Sequence, residues 1–342
     1  AAPESLTTSV TLGVPFVPFG ASTSRVATPV GVVAVGLWVG AGLAAMRGRW
    51  GLLRRADALG AVLLGGALGC VVLAFASAEP AREVVGPLGA ALLPVGALLA
   101  VAYVVHHRRA ASPLVPRGLV GPLMVRALLT SVLVGVALVA VVVDVPLLAR
   151  LVHGADETEA ALVLVRFLVA VPVGALAGGW AVRRLGDGPV AAAGLALATV
   201  GLTLMSTWGR GSLDGASATA VLATTGLGIG LALAPVNDAA LGVSDETTHG
   251  TASALVVVAR MVGMVVGLAL LTGVGLHRYY GAVAALPDPT DAEALRAAAV
   301  VQVSTVLRGA ALAAALGTVL AATLGRRPSP EPATFPAVAP EA

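Results

Sequence analysis

Six ionisable side chains stand inside long apolar runs of this 342-residue sequence: Arg126, Asp144, Arg166, Asp238, Arg260 and Arg308. If those runs cross a bilayer, each such charge costs about 2.5–3.5 kcal/mol, so it needs a partner, a proton or an exit to water. Arg126 lies near one end of its run and can snorkel to the interface. Asp144 and Arg166 fall at similar depths on consecutive runs and can pair, either as a structural lock or as a gate. Arg260 is held between Val256-Val-Val-Ala259 and Met261-Val-Gly263, near mid-run, with no acid of matching depth on the runs around it. A buried guanidinium of this kind calls for a carboxylate from elsewhere, and a pair that forms in one state and breaks in another is a switch. Asp238 follows Pro235 and Asn237 near a run end, where proton handling and plain solvation are both open. His106, His107, His153, His249 and His277 sit at loops or run ends without ligand spacing, so neither a metal site nor a cofactor is expected.

The elements that must position these groups are nine apolar runs, near 28–46, 58–78, 84–105, 123–148, 160–182, 188–208, 217–241, 251–276 and 301–324. A helix of about 20 apolar residues crosses the ~30 Å hydrocarbon core, so the chain reads as an all-α polytopic membrane protein. Composition agrees: 58% of residues are hydrophobic and 11% charged. The 42 glycines suit helices whose backbones approach closely in lipid. Every basic residue other than histidine is arginine, so no phosphate-binding loop of the lysine-dependent kind is present. The basic pI near 9.7 is explained by orientation and anionic headgroups rather than by nucleic acid. The lone Cys70 lies within a run, where it cannot form an intrachain disulfide.

Arginines alternate between loops. Arg47, Arg49, Arg54, Arg55, Arg108, Arg109, Arg117, Arg183, Arg184, Arg326 and Arg327 fall on one side, against Arg82, Arg150, Arg210, Arg278 and Arg296 on the other. The positive-inside rule then puts the C-terminus in the cytoplasm and, with nine spans, the start of the chain outside. Residues 1–27, broken by Pro15 and Pro18, read as irregular, and 326–342 as a disordered Pro-rich tail. The Ala1 start and the odd span count lead to the expectation that earlier spans precede this segment. The alanine-, valine- and arginine-rich composition suggests a GC-rich genome, such as an actinobacterium's.

Five segments carry a resemblance when taken in order. They are Arg55-Ala-Asp57-Ala-Leu-Gly60, Ser112-Pro-Leu-Val-Pro116, Gly178-Gly-Trp-Ala-Val-Arg183-Arg184-Leu-Gly186-Asp187, Gly226-Leu-Gly-Ile-Gly230 with Pro235, and His249 to Met264. Together they resemble the major facilitator superfamily, in its fourteen-helix drug:proton antiporter branch. Asp144-Val-Pro146, Val171 to Trp180 and 249–264 resemble the actinobacterial triacylglyceride exporters of that branch. The resemblance implies helix 6 with its basic loop at 28–57, two extra central helices and linker at 58–118, and a six-helix C-terminal domain at 119–325, with helices 1 to 5 absent. It implies no enzyme but proton-coupled export of a hydrophobic substrate, such as triacylglyceride or lipoglycan, across the cell membrane. Membrane lipids, protons and a periplasmic lipid-carrying lipoprotein would be its partners. In the loop motif Val182 stands where the family's fuller copy has aspartate, so a complete charge-relay latch is not expected.

The segment 277–300 separates lipid export from multidrug efflux, the alternative within the class. Pro287-Asp-Pro289 forces a turn, and Thr290 with Glu293 fits a capping box. Helices from about Thr251 to Ala285 and Asp291 to Leu324 would each be on the order of 50 Å long, more than the membrane requires. The excess reads as a hairpin outside the membrane, with Tyr279 and Tyr280 at the headgroup boundary, serving as a docking surface or as an idle loop. A membrane-embedded transferase would need carboxylates converging on one pocket, and the acids here are scattered.

Overall fold

The computed structural model describes residues 57–76, 87–110, 113, 115–209, 211–213, 215–245, 248–288 and 290–325. The expectations placed on 1–27, on the run at 28–46 with its basic loop, on Arg82, Arg210 and the tail 326–342 lie outside the described residues. The chain divides into two compact units, residues 1–59 with 110–114 and residues 60–109 with 115–342. Almost everything described belongs to the second.

Among the described residues there are eight helices and no strand: α1 Ala58–Ala76, α2 Pro87–Arg109, α3 Pro122–His153, α4 Glu157–Leu185, α5 Asp187–Met205, α6 Ala216–Leu241, α7 His249–Ala284 and α8 Ala292–Ala322. Seven are long and apolar enough to cross a membrane; α1 is the exception, its apolar part being only Leu59–Phe75. Nine spans were expected, so one lies outside the description and one is too short to qualify by itself. The protein is an all-α, multi-pass membrane protein. Helices of this kind satisfy every backbone group within themselves, which lipid demands.

The helix ends follow local chemistry. Pro122 starts α3 after Gly121, and Gly154 at φ 68° ends it. Asp156 caps α4 by accepting from the Glu159 N–H at 2.7 Å, while the Glu159 carboxylate accepts from the Asp156 N–H at 3.3 Å. Gly186, at φ 83°, is the single residue between α4 and α5 and turns the chain where a side chain would be strained.

Helices α3 to α8 pack around one core that includes Phe167, Leu195, Leu202, Ile229 and Leu307. Helix α3 lies along α7 and α8, α6 lies along α4 and α5, and α5 meets α8. The two triplets α3–α5 and α6–α8 are therefore related by exchange, with the first helix of each on the second helix of the other. Glycines make the match residue by residue. A Cβ on Gly135 would strike the Arg260 carbonyl, and one on Gly230 the Val171 carbonyl. Gly263 abuts Val132 as Gly174 abuts Leu227, and Gly267 abuts Val136 as Gly178 abuts Leu231. The Ser131 hydroxyl donates to the Val256 carbonyl at 2.7 Å where Gly226 touches that of Phe167. One constant offset along each helix relates every pair. Because each triplet has an odd number of crossings, this is an inverted repeat. Helices α1 and α2 meet at Gly96, where a Cβ would stand 3.0 Å from the Cys70 Cβ and 3.2 Å from the Ala67 carbonyl oxygen.

Candidate functional site: a guanidinium in the glycine seam

Helix α7 turns one stripe toward α3. Ala252, Val256, Gly263 and Gly267 are buried along it, and Arg260 falls in the same register. The spacing is dictated by α3: its Gly135 leaves room for the Arg260 backbone carbonyl, and Gly263 leaves room for Val132. The Arg260 side chain is half-buried, and its Nε is buried without a hydrogen-bond partner among the described residues. The inverted repeat sharpens this. The position equivalent to Arg260 on α4 is Val171, which holds the same contact with Gly230. The same backbone contact is thus made where one helix carries valine and the other arginine.

The other intramembrane charges separate into distinct environments. Asp144 is 3% exposed and its Oδ2 has no partner among the described residues. Arg166, expected as its possible mate, donates instead to the Thr219 hydroxyl of α6 at 3.1 Å. Equal depth was not enough for a pair: Asp144 turns into the bundle, while half-buried Arg166 reaches across to α6. Arg126 is exposed and donates to the Thr323 carbonyl at 3.1 Å, satisfying an end of α8 that has no further helical turn. Asp238 and Arg308 are exposed, and the neighbouring Asn237 has a buried side-chain oxygen without a partner among the described residues.

The loop motif is a tight corner. Gly178 serves helix contact, since a Cβ there would come 2.6 Å from the Leu231 carbonyl oxygen. Arg183 and Arg184 are exposed, with the Arg184 guanidinium 4.6 Å above the Trp180 ring. Asp187 is 7% exposed and engaged, and the Gly188 N–H donates to the Gly325 carbonyl at 3.0 Å, joining α5 to the end of α8. The starts of α3 and α5 and the end of α8 therefore share one arginine-rich end of the bundle.

At the opposite end α7 and α8 run to Ala284 and from Ala292, close to the expected limits. Tyr279 and Tyr280 stack edge to face with centroids 5.3 Å apart. The cap of α8 differs from expectation. Asp291, not Thr290, is the capping residue, accepting from the Glu293 N–H at 2.8 Å. Thr290 gives both its N–H and its hydroxyl to Asp288 Oδ1, at 2.9 and 2.7 Å. Asp288 thereby closes the turn after Pro287, and these bonds hold its carboxyl below the usual aspartate value. Among the described residues no three His, Cys, Asp or Glu side chains are grouped to hold a metal ion.

Reading the sequence alone missed the repeat, although its trace is visible. Val169-Ala170, Val173-Gly174 and Gly178 on α4 recur in order and spacing as Val258-Ala259, Val262-Gly263 and Gly267 on α7. That alignment by itself would have paired Arg260 with Val171.

No protein-family model matches the chain. Among curated proteins it is similar to a triacylglyceride transporter of Mycolicibacterium hassiacum, 38% identical over 237 residues, covering 66% of this chain and 44% of that protein. It is 35% identical over 263 residues to a probable triacylglyceride transporter of Mycobacterium leprae, covering 73% and 52%. To the triacylglyceride transporter of Mycobacterium tuberculosis it is 36% identical over 262 residues, covering 72% and 50%. The chain spans about half the length of the curated relatives it matches.

Proposed function

We propose that this chain works within a secondary active transporter of the major facilitator type that moves triacylglyceride or a similar lipid out across the cytoplasmic membrane, coupled to the proton gradient. The observation that carries the reading is Arg260, a guanidinium with an unpartnered Nε set mid-helix where the equivalent residue is valine. In a transporter such a charge has a use. It binds a carboxylate from outside the six-helix body in one state and releases it in another, so that a proton taken up by that carboxylate tips the balance. The substrate class follows the relatives and suits the exposed surfaces of α4 and α7. Val169, Val173 and Leu176 on one helix, and Val258, Met261 and Val265 on the other, offer acyl chains apolar walls. The arginine-rich end faces the cytoplasm in this reading, and the α7–α8 turn stands outside, available to a lipid-carrying lipoprotein.

Three variants test it in vesicles or cells carrying the transporter. Arg260→Ala should abolish lipid export while expression and thermal stability persist. Arg260→Lys should restore it only in part, since lysine lacks the planar fork that pairs with a carboxylate through two bonds. Wild-type export by the alanine variant would reduce Arg260 to a packing residue. Replacing residues 281–295 by a short Gly/Ser link should spare small-drug efflux yet stop lipid export. Survival of lipid export there would move multidrug:proton antiport ahead.

A further inference from the structure

Helix α4 carries a second stripe, on the face turned away from α6. Val169, Val173, Leu176, Trp180 and Arg184 follow at helical spacing, with relative exposures of 62, 53, 78 and 59% for the first four, and Arg184 is exposed as well. The stripe ends at the Gly186 corner, where Arg184 lies over the Trp180 ring and Arg183 stands beside it in sequence. Neither arginine forms a hydrogen bond or an ion pair among the described residues. Asp187, the acid that follows them, is buried and engaged, and Asp238, at the same level on α6, is not paired with either. A guanidinium resting on an indole keeps its edge N–H groups free for an anion.

The inverted repeat shows which part of this stripe the fold itself requires. On α7 the positions equivalent to Val169, Val173 and Leu176 are Val258, Val262 and Val265, so the apolar part is common to both helices. The positions equivalent to Trp180, Arg183 and Arg184 are Ala269, Thr272 and Gly273. At these equivalent positions α7 packs with neither an aromatic nor a cation, so the fold does not require them on α4. The two ends meet opposite leaflets, and the cytoplasmic leaflet is the one that carries anionic lipid.

We propose that this end of α4 binds an anionic phospholipid of the cytoplasmic leaflet, its phosphate held by Arg183 and Arg184 beside Trp180 and its acyl chain laid along Leu176, Val173 and Val169. The tryptophan ring occupies the headgroup boundary, where an apolar body with one N–H is favoured, and it props the Arg184 fork toward the phosphate. The headgroup site is separate from Arg260, while its acyl end shares with the proposed function the α4 wall of Val169, Val173 and Leu176. It would anchor the corner whose Gly188 is bonded to Gly325 at the end of α8.

The test is tryptophan quenching by brominated lipid in reconstituted vesicles, present in both leaflets so that orientation does not enter. The Trp180 signal is the difference between wild type and Trp180→Phe. Brominated phosphatidylglycerol should be preferred over brominated phosphatidylcholine at Trp180 by about fivefold or more, the preference expected of a single arginine near the surface. The Arg183→Ala/Arg184→Ala variant should bring the ratio to about one, and lysine at both positions should keep most of it. Arg184→Gln alone, with size-exclusion to verify folding, serves if the double variant fails to fold. Equal quenching by the two lipids in wild type overturns the proposal, as does a ratio unchanged in the alanine variant. Absence of quenching by either lipid overturns it too, because polypeptide would then cover the stripe.

Discussion

Gly263→Ala is the perturbation that most directly tests the seam holding Arg260. A Cβ at Gly263 would overlap the Val132 carbonyl oxygen and come 2.7 Å from its carbon and 2.9 Å from Cα, where ordinary Cβ contacts begin at 3.4 Å. All these atoms are backbone of α3, so no side chain can swing aside. The two helices must part by well over half an ångström along a contact that continues through Gly135 and Gly267. Overpacking of this kind costs about 1–3 kcal/mol, set against the fraction of a kcal/mol to ~1 that alanine gains over glycine as a helix former. Gly174→Ala should cost about the same, since Leu227 carbon and Cα both stand at 2.9 Å from its Cβ. Gly179→Ala, with nothing within 4 Å, should be neutral or slightly stabilising. Unfolding in mixed micelles, followed by circular dichroism, compares the three. If Gly263→Ala and Gly174→Ala unfold like wild type while Gly179→Ala does not, the paired glycine contacts and the repeat built on them are wrong.

Asp291→Ala should destabilise the start of α8 by about 1 kcal/mol, the usual loss of an N-cap, and Thr290→Ala should leave that cap intact; amide exchange at Glu293 distinguishes them. The Asp288 turn should depend on pH in a defined direction. Its folded value is lowered, so its contribution is present above the ordinary aspartate value and is lost as pH falls through the lowered one. A protection factor of the Thr290 amide that falls in acid would record this, and a protection factor unchanged with pH would contradict it. Ala110→Cys in a Cys70→Ser background should resist an impermeant thiol reagent added outside intact cells, and rapid labelling there would reverse the orientation proposed from the arginines.

Much of this molecule could be read without coordinates, because its strongest signals are local. A run of apolar residues makes a helix in lipid whatever its neighbours do, so α7 at His249–Ala284 and α8 at Ala292–Ala322 fall within a few residues of where hydropathy and Pro287 placed them. The Gly186 corner was likewise marked by its own glycine and flanking arginines. Which face a side chain presents is another matter. Asp144 and Arg166 have matching depths along their helices, yet rotation about the helix axes sends one into the core and the other to Thr219. The cap of α8 fell to Asp291 because Asp288 had already taken both donors of Thr290, a competition among three residues that spacing cannot rank. The glycines show the division most plainly. Composition announces that helices will approach closely, but a hydrogen in place of a side chain carries no label for its partner. Only the packed helices assign Gly135 to Arg260 and Gly230 to Val171, contacts made through backbone carbonyls that no side-chain pattern marks.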